Sequence, residues 1–265
     1  MSCQRLIEVK VDLDLQEQTE NQIIEEFGRQ LLVPGISENG QNNLFNKHIL
    51  LIGLGALGTI ASQYLVRAGI GSITLLDFDK VSLSNLHRQI NYNKKDINGY
   101  KSEITEQVLS NINSVTKIIQ HPISFEKFLE KDNFDNIDFI FDCSDSYKTK
   151  INSSLFAKAK SITYSSVSIN SSEGIFFSQN YLISNKTSCF KCLFPNINKI
   201  NHRCLNSAMI GPVAGFVASL ACSKIILELA KDTSQMKNEI LLIDLLTSDI
   251  NKLQLSSSNC NHTYE

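Results

Sequence analysis

Residues 48 to 58 read HILLIGLGALG, and residues 77 to 89 read DFDKVSLSNLHRQ. Ile49 to Ile52 is a short continuous apolar run, the pattern of a parallel strand buried on both faces. Gly53, Gly55 and Gly58 follow it and open a stretch over 56–68 with helical apolar spacing, so they lie where a strand turns into a helix. In that setting the glycines predict a phosphate-binding turn. Backbone N–H groups point outward at a helix N-terminus, whose dipole favours negative charge. Ala56 sits inside the turn, where only its N–H is needed. Ser72 to Leu76 is the next strand, closing a βαβ unit of about thirty residues.

Asp77 ends that strand, where a carboxylate accepts hydrogen bonds from ribose hydroxyls. Up to this point the residues suit NAD and ATP equally well. The string after Asp77 separates them, because a hydride-transfer enzyme has no use for Asp79, Asn85, Arg88 and Gln89 packed behind its ribose acid. Arg88 and Lys101 can neutralise the phosphates of a nucleoside triphosphate, one as a planar fork and the other as a point charge. Asn85 and Gln89 add uncharged donors and acceptors. Asp145 follows another apolar strand, Ile137 to Asp142, and so falls at the carboxyl edge of the sheet, where such folds bind ligands. A carboxylate there can hold Mg²⁺, which favours one or two carboxylates plus phosphate oxygens. Capping the helix that begins near Ser146 is its simpler alternative role.

Outward from these motifs, strands and helices alternate. Helices are expected over 21–32, 101–112, 125–130 and 148–158, and strands over 117–121 and 162–167. The fold expected is α/β, a Rossmann-like, doubly wound, mostly parallel sheet with helices on both faces. The second half changes character. A hairpin is expected over 174–183, an irregular crossover over 189–204, a long buried helix over 211–230, and two closing antiparallel strands at 239–244 and 249–255. Residues 1–20 read as an N-terminal arm or an added strand, and 21–265 as one domain. With 42% hydrophobic residues in a chain of 265, the core is large enough for that single domain. A formal net charge of −2 argues against a nucleic-acid partner. The apolar stretch 211–230 carries Lys224 and Glu228, which speaks against a membrane span. No basic start leads into an apolar run, and seven cysteines without such a leader suit reduced thiols, so a cytoplasmic protein is expected. Cys189-Phe-Lys-Cys192 has the spacing of a zinc knuckle, with a redox pair or two unconnected thiols as alternatives.

FGRQLL at 27–32, GLGALG at 53–58, DFDKVSLSNLHRQ at 77–89, GYK at 99–101, FDCSDS at 141–146 and CFKCLFP at 189–195 occur in order. With the segment from Cys204 through IGPVAGFVASLACSKIILEL, they make the chain resemble the HesA/MoeB/ThiF family, bacterial relatives of ubiquitin-activating enzymes. The resemblance implies ATP-dependent adenylation of the C-terminal carboxylate of a ubiquitin-like sulfur carrier of the MoaD or ThiS type, with release of pyrophosphate. Adenylation of a short ribosomal peptide is an alternative, and a noncatalytic binding partner of a ubiquitin-like protein is another. By the same resemblance Asp77 is the ribose acid, Arg88 and Lys101 contact phosphates, and Asp145 is linked to Mg²⁺. Arg29 is the arginine that reaches a neighbouring subunit's ATP site, which implies a homodimer. The family's second CxxC near the C-terminus is reduced here to Cys260 and His262, giving a Cys₃His zinc set with Cys189 and Cys192. Cys204 aligns with a cysteine that some relatives use to handle sulfur, while Cys143 and Cys222 are expected in the core. Ser146 and Lys150 replace the asparagine and arginine usual after the Mg²⁺-linked acid.

Overall fold

The computed structural model describes residues 20–113, 115–131, 134, 136–184, 187–195, 208–231, 237–255 and 260–264. The expected arm at 1–20 therefore lies almost wholly outside the described residues. Eight strands form a single sheet: β1 (His48–Ile52), β2 (Ser72–Leu76), β3 (Lys117–His121), β4 (Phe139–Asp142), β5 (Thr163–Asn170), β6 (Glu173–Gln179), β7 (Glu239–Asp244) and β8 (Asp249–Gln254). Their order is β3-β2-β1-β4-β5-β6-β7-β8. Strands β1 to β5 pair in parallel, and β6, β7 and β8 add on antiparallel, as expected. The chain runs outward from β1 through β2 to β3, then returns to the other side of β1 as β4. The switch in direction between β1 and β4 opens a crevice at their carboxyl ends.

Alternation along each strand divides the core into two layers. Ile49, Leu51, Ile73, Leu75, Phe139 and Phe141 face the layer that holds α3 (Ala56–Arg67), α4 (Lys101–Leu109) and α8 (Gly211–Leu229). Leu50, Ile52, Leu76, Ile140 and Tyr164 face the opposite layer, under α5 (Phe125–Leu129) and α6 (Tyr147–Lys160). Helix α8 is long and apolar enough to cross a membrane by composition, but Val213, Ala214, Val217, Ala218, Ala221, Cys222, Ile225 and Leu229 form a buried stripe at helical spacing. That stripe packs on α3 and the sheet, so α8 is a core helix, as its Lys224 and Glu228 indicate.

Two local expectations change. A helix absent from the sequence reading, α2 (Ser37–Phe45), follows α1 (Glu20–Leu31). The hairpin expected within 174–183 instead joins β5 to β6, with its turn at Ser171 and Ser172. Ser171 adopts a left-handed φ of 55°, the backbone geometry that turns the chain there. A single turn, α7 (Phe190–Leu193), occupies the start of the expected crossover. The rest of that crossover, 196–207, lies outside the described residues.

Candidate active site

The turn from β1 to α3 is crowded on the inside and open on the outside. Gly53 has φ +86°, and a Cβ there would lie 2.8 Å from the Ser144 Cα and N. A Cβ on Gly58 would lie 1.9 Å from the Gly53 carbonyl. Both positions therefore exclude any side chain. Around Gly55, by contrast, the nearest atom to such a Cβ is Gln89 Nε2 at 3.9 Å. Gly55 caps α3 with no side-chain hydrogen bond, so the first-turn N–H groups face the crevice without a side-chain acceptor. This is an anion cradle.

The residues behind the cradle are tied to it. Asp77, buried at the end of β2, accepts from the Leu54 N–H at 2.6 Å through Oδ2 and from the Asp79 N–H at 2.8 Å through Oδ1. Burial raises the Asp77 pKa, and the Lys101 charge opposes that. Each carboxylate oxygen keeps a lone pair for a further donor such as a ribose hydroxyl. Lys101 begins α4; its side chain is buried and its Nζ meets Asp79 Oδ2 at 2.9 Å. Gln89 is buried beside Gly55, and its Oε1 has no hydrogen-bond partner among the described residues. A buried amide oxygen left without a donor costs free energy. A ligand hydroxyl or amine in the crevice would satisfy it.

Asn85 and Arg88 take different places from Gln89. The Asn85 Oδ1 accepts from Ser82 N at 3.0 Å and closes a 3₁₀ turn over Leu83–Asn85, so it shapes the loop. Arg88 is half-buried; its guanidinium donates to the Ser84 carbonyl at 2.7 Å and lies 2.7 Å from His87 Nε2. Across the crevice, Ser146 caps α6 by accepting from Thr149 N at 3.2 Å. The capping alternative for Asp145 thus falls to its neighbour, and Asp145 stays exposed at the carboxyl end of β4. The 142–145 turn that carries it presses on Gly53 and is fixed from below. Ser144 N and Oγ and Ser153 Oγ donate to the fully buried Asp142 carboxylate at 2.9, 2.6 and 2.6 Å. Lys150, equally buried, reaches Asp142 Oδ1 at 3.4 Å, the Asp142 carbonyl at 3.1 Å and the Val167 carbonyl at 2.8 Å.

Arg29 sits apart from all of these. It is exposed on α1, whose Ile23 and Phe27 pack with Phe45 and Val115. Gln30 donates to the Ala68 carbonyl at 3.0 Å, at the C-terminal end of α3. Within one chain Arg29 is thus at the opposite end of α3 from Gly55. Cys204 lies outside the described residues. Cys143 and Cys222 are buried as expected, and burial pushes the Cys222 thiol up to about 12.

The remaining cysteines among the described residues converge. Cys189, Cys192, Cys260 and His262 place one ligand atom each within 4.8 Å of one another. Cys189 Sγ is 3.7 Å from Cys192 Sγ, and His262 Nδ1 is 3.5, 3.3 and 3.8 Å from Cys189, Cys192 and Cys260 Sγ. A tetrahedral zinc ion with ordinary bond lengths separates S from S by about 3.8 Å and S from N by about 3.6 Å. The donor set and its spacing fit such an ion. Lys158 of α6 donates to the Cys260 and His262 carbonyls at 2.8 and 3.1 Å, pinning the C-terminal ligands. Lys158 lies twelve residues along α6 from its cap at Ser146, about 18 Å. The C-terminal ligands are therefore held at the far end of α6 from the crevice.

Sequence reasoning missed Tyr92, Ser153 and Lys158, which belong to no motif, and the role of Lys150, which it noted only as a departure. Fold and site together define a doubly wound nucleotide-binding domain with an anion cradle at its topological switch point. The ThiF family pattern matches residues 27–263, and the chain belongs to that family. The sulfur carrier protein ThiS adenylyltransferase of Escherichia coli K12 is 32% identical over 242 residues, covering 88% of this chain and 92% of that protein. The adenylyltransferase and sulfurtransferase MOCS3 of Dictyostelium discoideum is 32% identical over 83% of this chain, which spans only 52% of that longer protein. Among solved structures, E. coli MccB with ATP superposes with a TM-score of 0.71 at 21% identity, over 85% of this chain and 69% of that one. At that identity the likeness is one of fold.

Proposed function

We propose that the chain is an ATP-dependent adenylyltransferase acting on the C-terminal carboxylate of a ubiquitin-like sulfur carrier. The observation that carries this reading is the exposed carboxylate of Asp145 set across the switch-point crevice from the open face of Gly55. Near-full-length similarity to a ThiS adenylyltransferase supports the choice of substrate over a short peptide.

The N–H groups at Gly55, Ala56 and the first turn of α3 hold phosphate oxygens. Asp77 takes the ribose hydroxyls and Gln89 Oε1 a donor of the nucleotide. Lys101 and Arg88 neutralise the charge that gathers on the leaving pyrophosphate; Arg88 must leave Ser84 to do so. Asp145 would hold Mg²⁺, whose charge would offset that of the phosphates. The carrier carboxylate oxygen attacks the α-phosphorus, the bond to the β-phosphate bridge breaks, and pyrophosphate leaves. The rate comes from alignment and electrostatics, with no covalent enzyme intermediate at this step. Arg29, so far from its own cradle, serves the site of a second copy in a homodimer. Zinc would be held by Cys189, Cys192, Cys260 and His262, and four protein ligands that close its tetrahedral coordination make it structural. Free thiols suit a cytoplasmic setting.

Carrier-dependent ATP–pyrophosphate exchange tests the reading. Wild type should exchange only with a carrier present, and Asp145→Ala should lose exchange while keeping its melting temperature. Exchange retained by Asp145→Ala would remove the Mg²⁺ assignment. Stimulation by a short peptide alone would move the substrate to the peptide class.

A further inference from the structure

The cradle and the lysine that faces the phosphates sit on different elements, forty-seven residues apart in sequence. A closed circuit of hydrogen bonds joins them. The Leu54 N–H donates to Asp77 at 2.6 Å, and the same carboxylate accepts from Asp79 N at 2.8 Å. Asp79 then holds Lys101 twice, accepting from its backbone N through the main-chain carbonyl at 2.9 Å and from its Nζ through Oδ2 at 2.9 Å. Tyr92 closes the circuit. Its phenol lies 2.9 Å from the Leu54 carbonyl, 3.1 Å from Thr105 Oγ1 and 3.5 Å from the Lys101 carbonyl. A phenol has one proton to give, and the short contact to Leu54 takes it. Thr105, one turn beyond Lys101 on α4, donates its hydroxyl back to Tyr92.

We propose that Tyr92 and Asp79 are positioning residues that lock the Lys101 ammonium and the glycine turn into one rigid unit for nucleotide binding. The inference rests on the proposed function, in which Lys101 meets the phosphates. Lysine is a flexible stem with a compact charge, so alone it samples many positions. An ammonium has three protons. Asp79 occupies one and aims the other two. Tyr92, Thr105 and Lys101 are all buried, so water cannot replace a bond lost at Tyr92, whereas the Asp79 side chain that meets Lys101 is 54% exposed. Burial raises the Tyr92 pKa beyond any working pH; the Thr105 bond opposes this and the Asp77 and Asp79 charges add to it, and the phenol stays a donor.

The test measures Mg·ATP binding by calorimetry in wild type, Tyr92→Phe, Asp79→Asn and the double variant, with kcat and KM for ATP and for the carrier. Tyr92→Phe should weaken ATP binding about tenfold, the scale of one buried hydrogen bond, and leave the carrier KM unchanged. The double variant should be little worse than the weaker single, because one circuit is broken either way. A Tyr92→Phe protein with a lowered melting temperature but wild-type ATP affinity and kcat would overturn the proposal, leaving a structural hydroxyl. So would single effects that multiply in the double variant. Failure of wild type itself to bind Mg·ATP refutes the proposed function, and this inference with it, and is told apart by appearing before any substitution.

Discussion

Replacing Lys150 with methionine keeps the length of the side chain and removes its charge. The Lys150 side chain is 1% exposed and that of Asp142 is 0% exposed, so the carboxylate left behind has no access to water. It keeps three donors, from Ser144 and Ser153, but the Asp142 and Val167 carbonyls lose theirs. Removing one partner of a buried pair typically costs about 3–5 kcal/mol. For a chain of this size that lowers the melting temperature by roughly 6–20 °C. Thermal denaturation followed by circular dichroism reads it directly. Adding Asp142→Asn should recover most of the loss, because taking away both charges is close to neutral. A Lys150→Met protein that melts within about 2 °C of wild type would refute the reasoning, as would a double variant no more stable than the single.

Freshly purified protein should contain one zinc ion per chain. Stripping it with a chelator, or replacing Cys192 with serine, should lower the melting temperature while Mg·ATP affinity changes less than twofold, since the C-terminal ligands are held at the far end of α6 from the crevice; absence of zinc would refute the Cys₃His assignment. Arg29→Ala and Asp145→Ala proteins should each fail in pyrophosphate exchange, yet mixing them should restore about a quarter of wild-type activity through dimers with one intact site. No recovery in re-equilibrated mixtures would place Arg29 outside the neighbour's site. Burial pushes the Glu228 carboxyl from 4.5 up to about 7; Lys224 opposes this, Glu239 adds to it, and Lys252 and Lys231 oppose it. The group is protonated in both states at low pH, so its contribution is whole there and is lost as pH rises from about 4.5 through about 7. Glu228→Gln should flatten that fall in a set of melting curves, and an unchanged slope would contradict the shift.

The sheet and its switch point were legible because β1, β2 and β4 are buried and read as mostly apolar runs, and because Gly53 and Gly58 are required by crowding that any side chain would violate. Helix α2 was not legible. Its sequence SENGQNNLF has little apolar period and a glycine inside, yet Gly40 lets α2 approach the end of α8, where a Cβ would lie 3.0 Å from the Ala230 carbonyl. Tertiary packing there overrides local preference. The β5–β6 turn was misplaced because Ser171, rather than glycine or asparagine, takes the left-handed position. In the site, Arg88, Lys101 and Asp145 stood out as charges in a motif. Asp79 stood out too, but its bond to Lys101 depends on how α4 docks beside β2. The metal cluster joins residues seventy-three positions apart, and spacing alone gave only its first half.

Intact-mass analysis of a candidate sulfur carrier, incubated with the protein, Mg²⁺ and ATP, addresses the central claim most directly when run beside the same carrier with an amidated C-terminus. The account predicts a carrier–AMP adduct with matching pyrophosphate release, and neither product from the amidated carrier. Cleavage of ATP to ADP and phosphate, or an adduct that forms equally well on the amidated carrier, would contradict it.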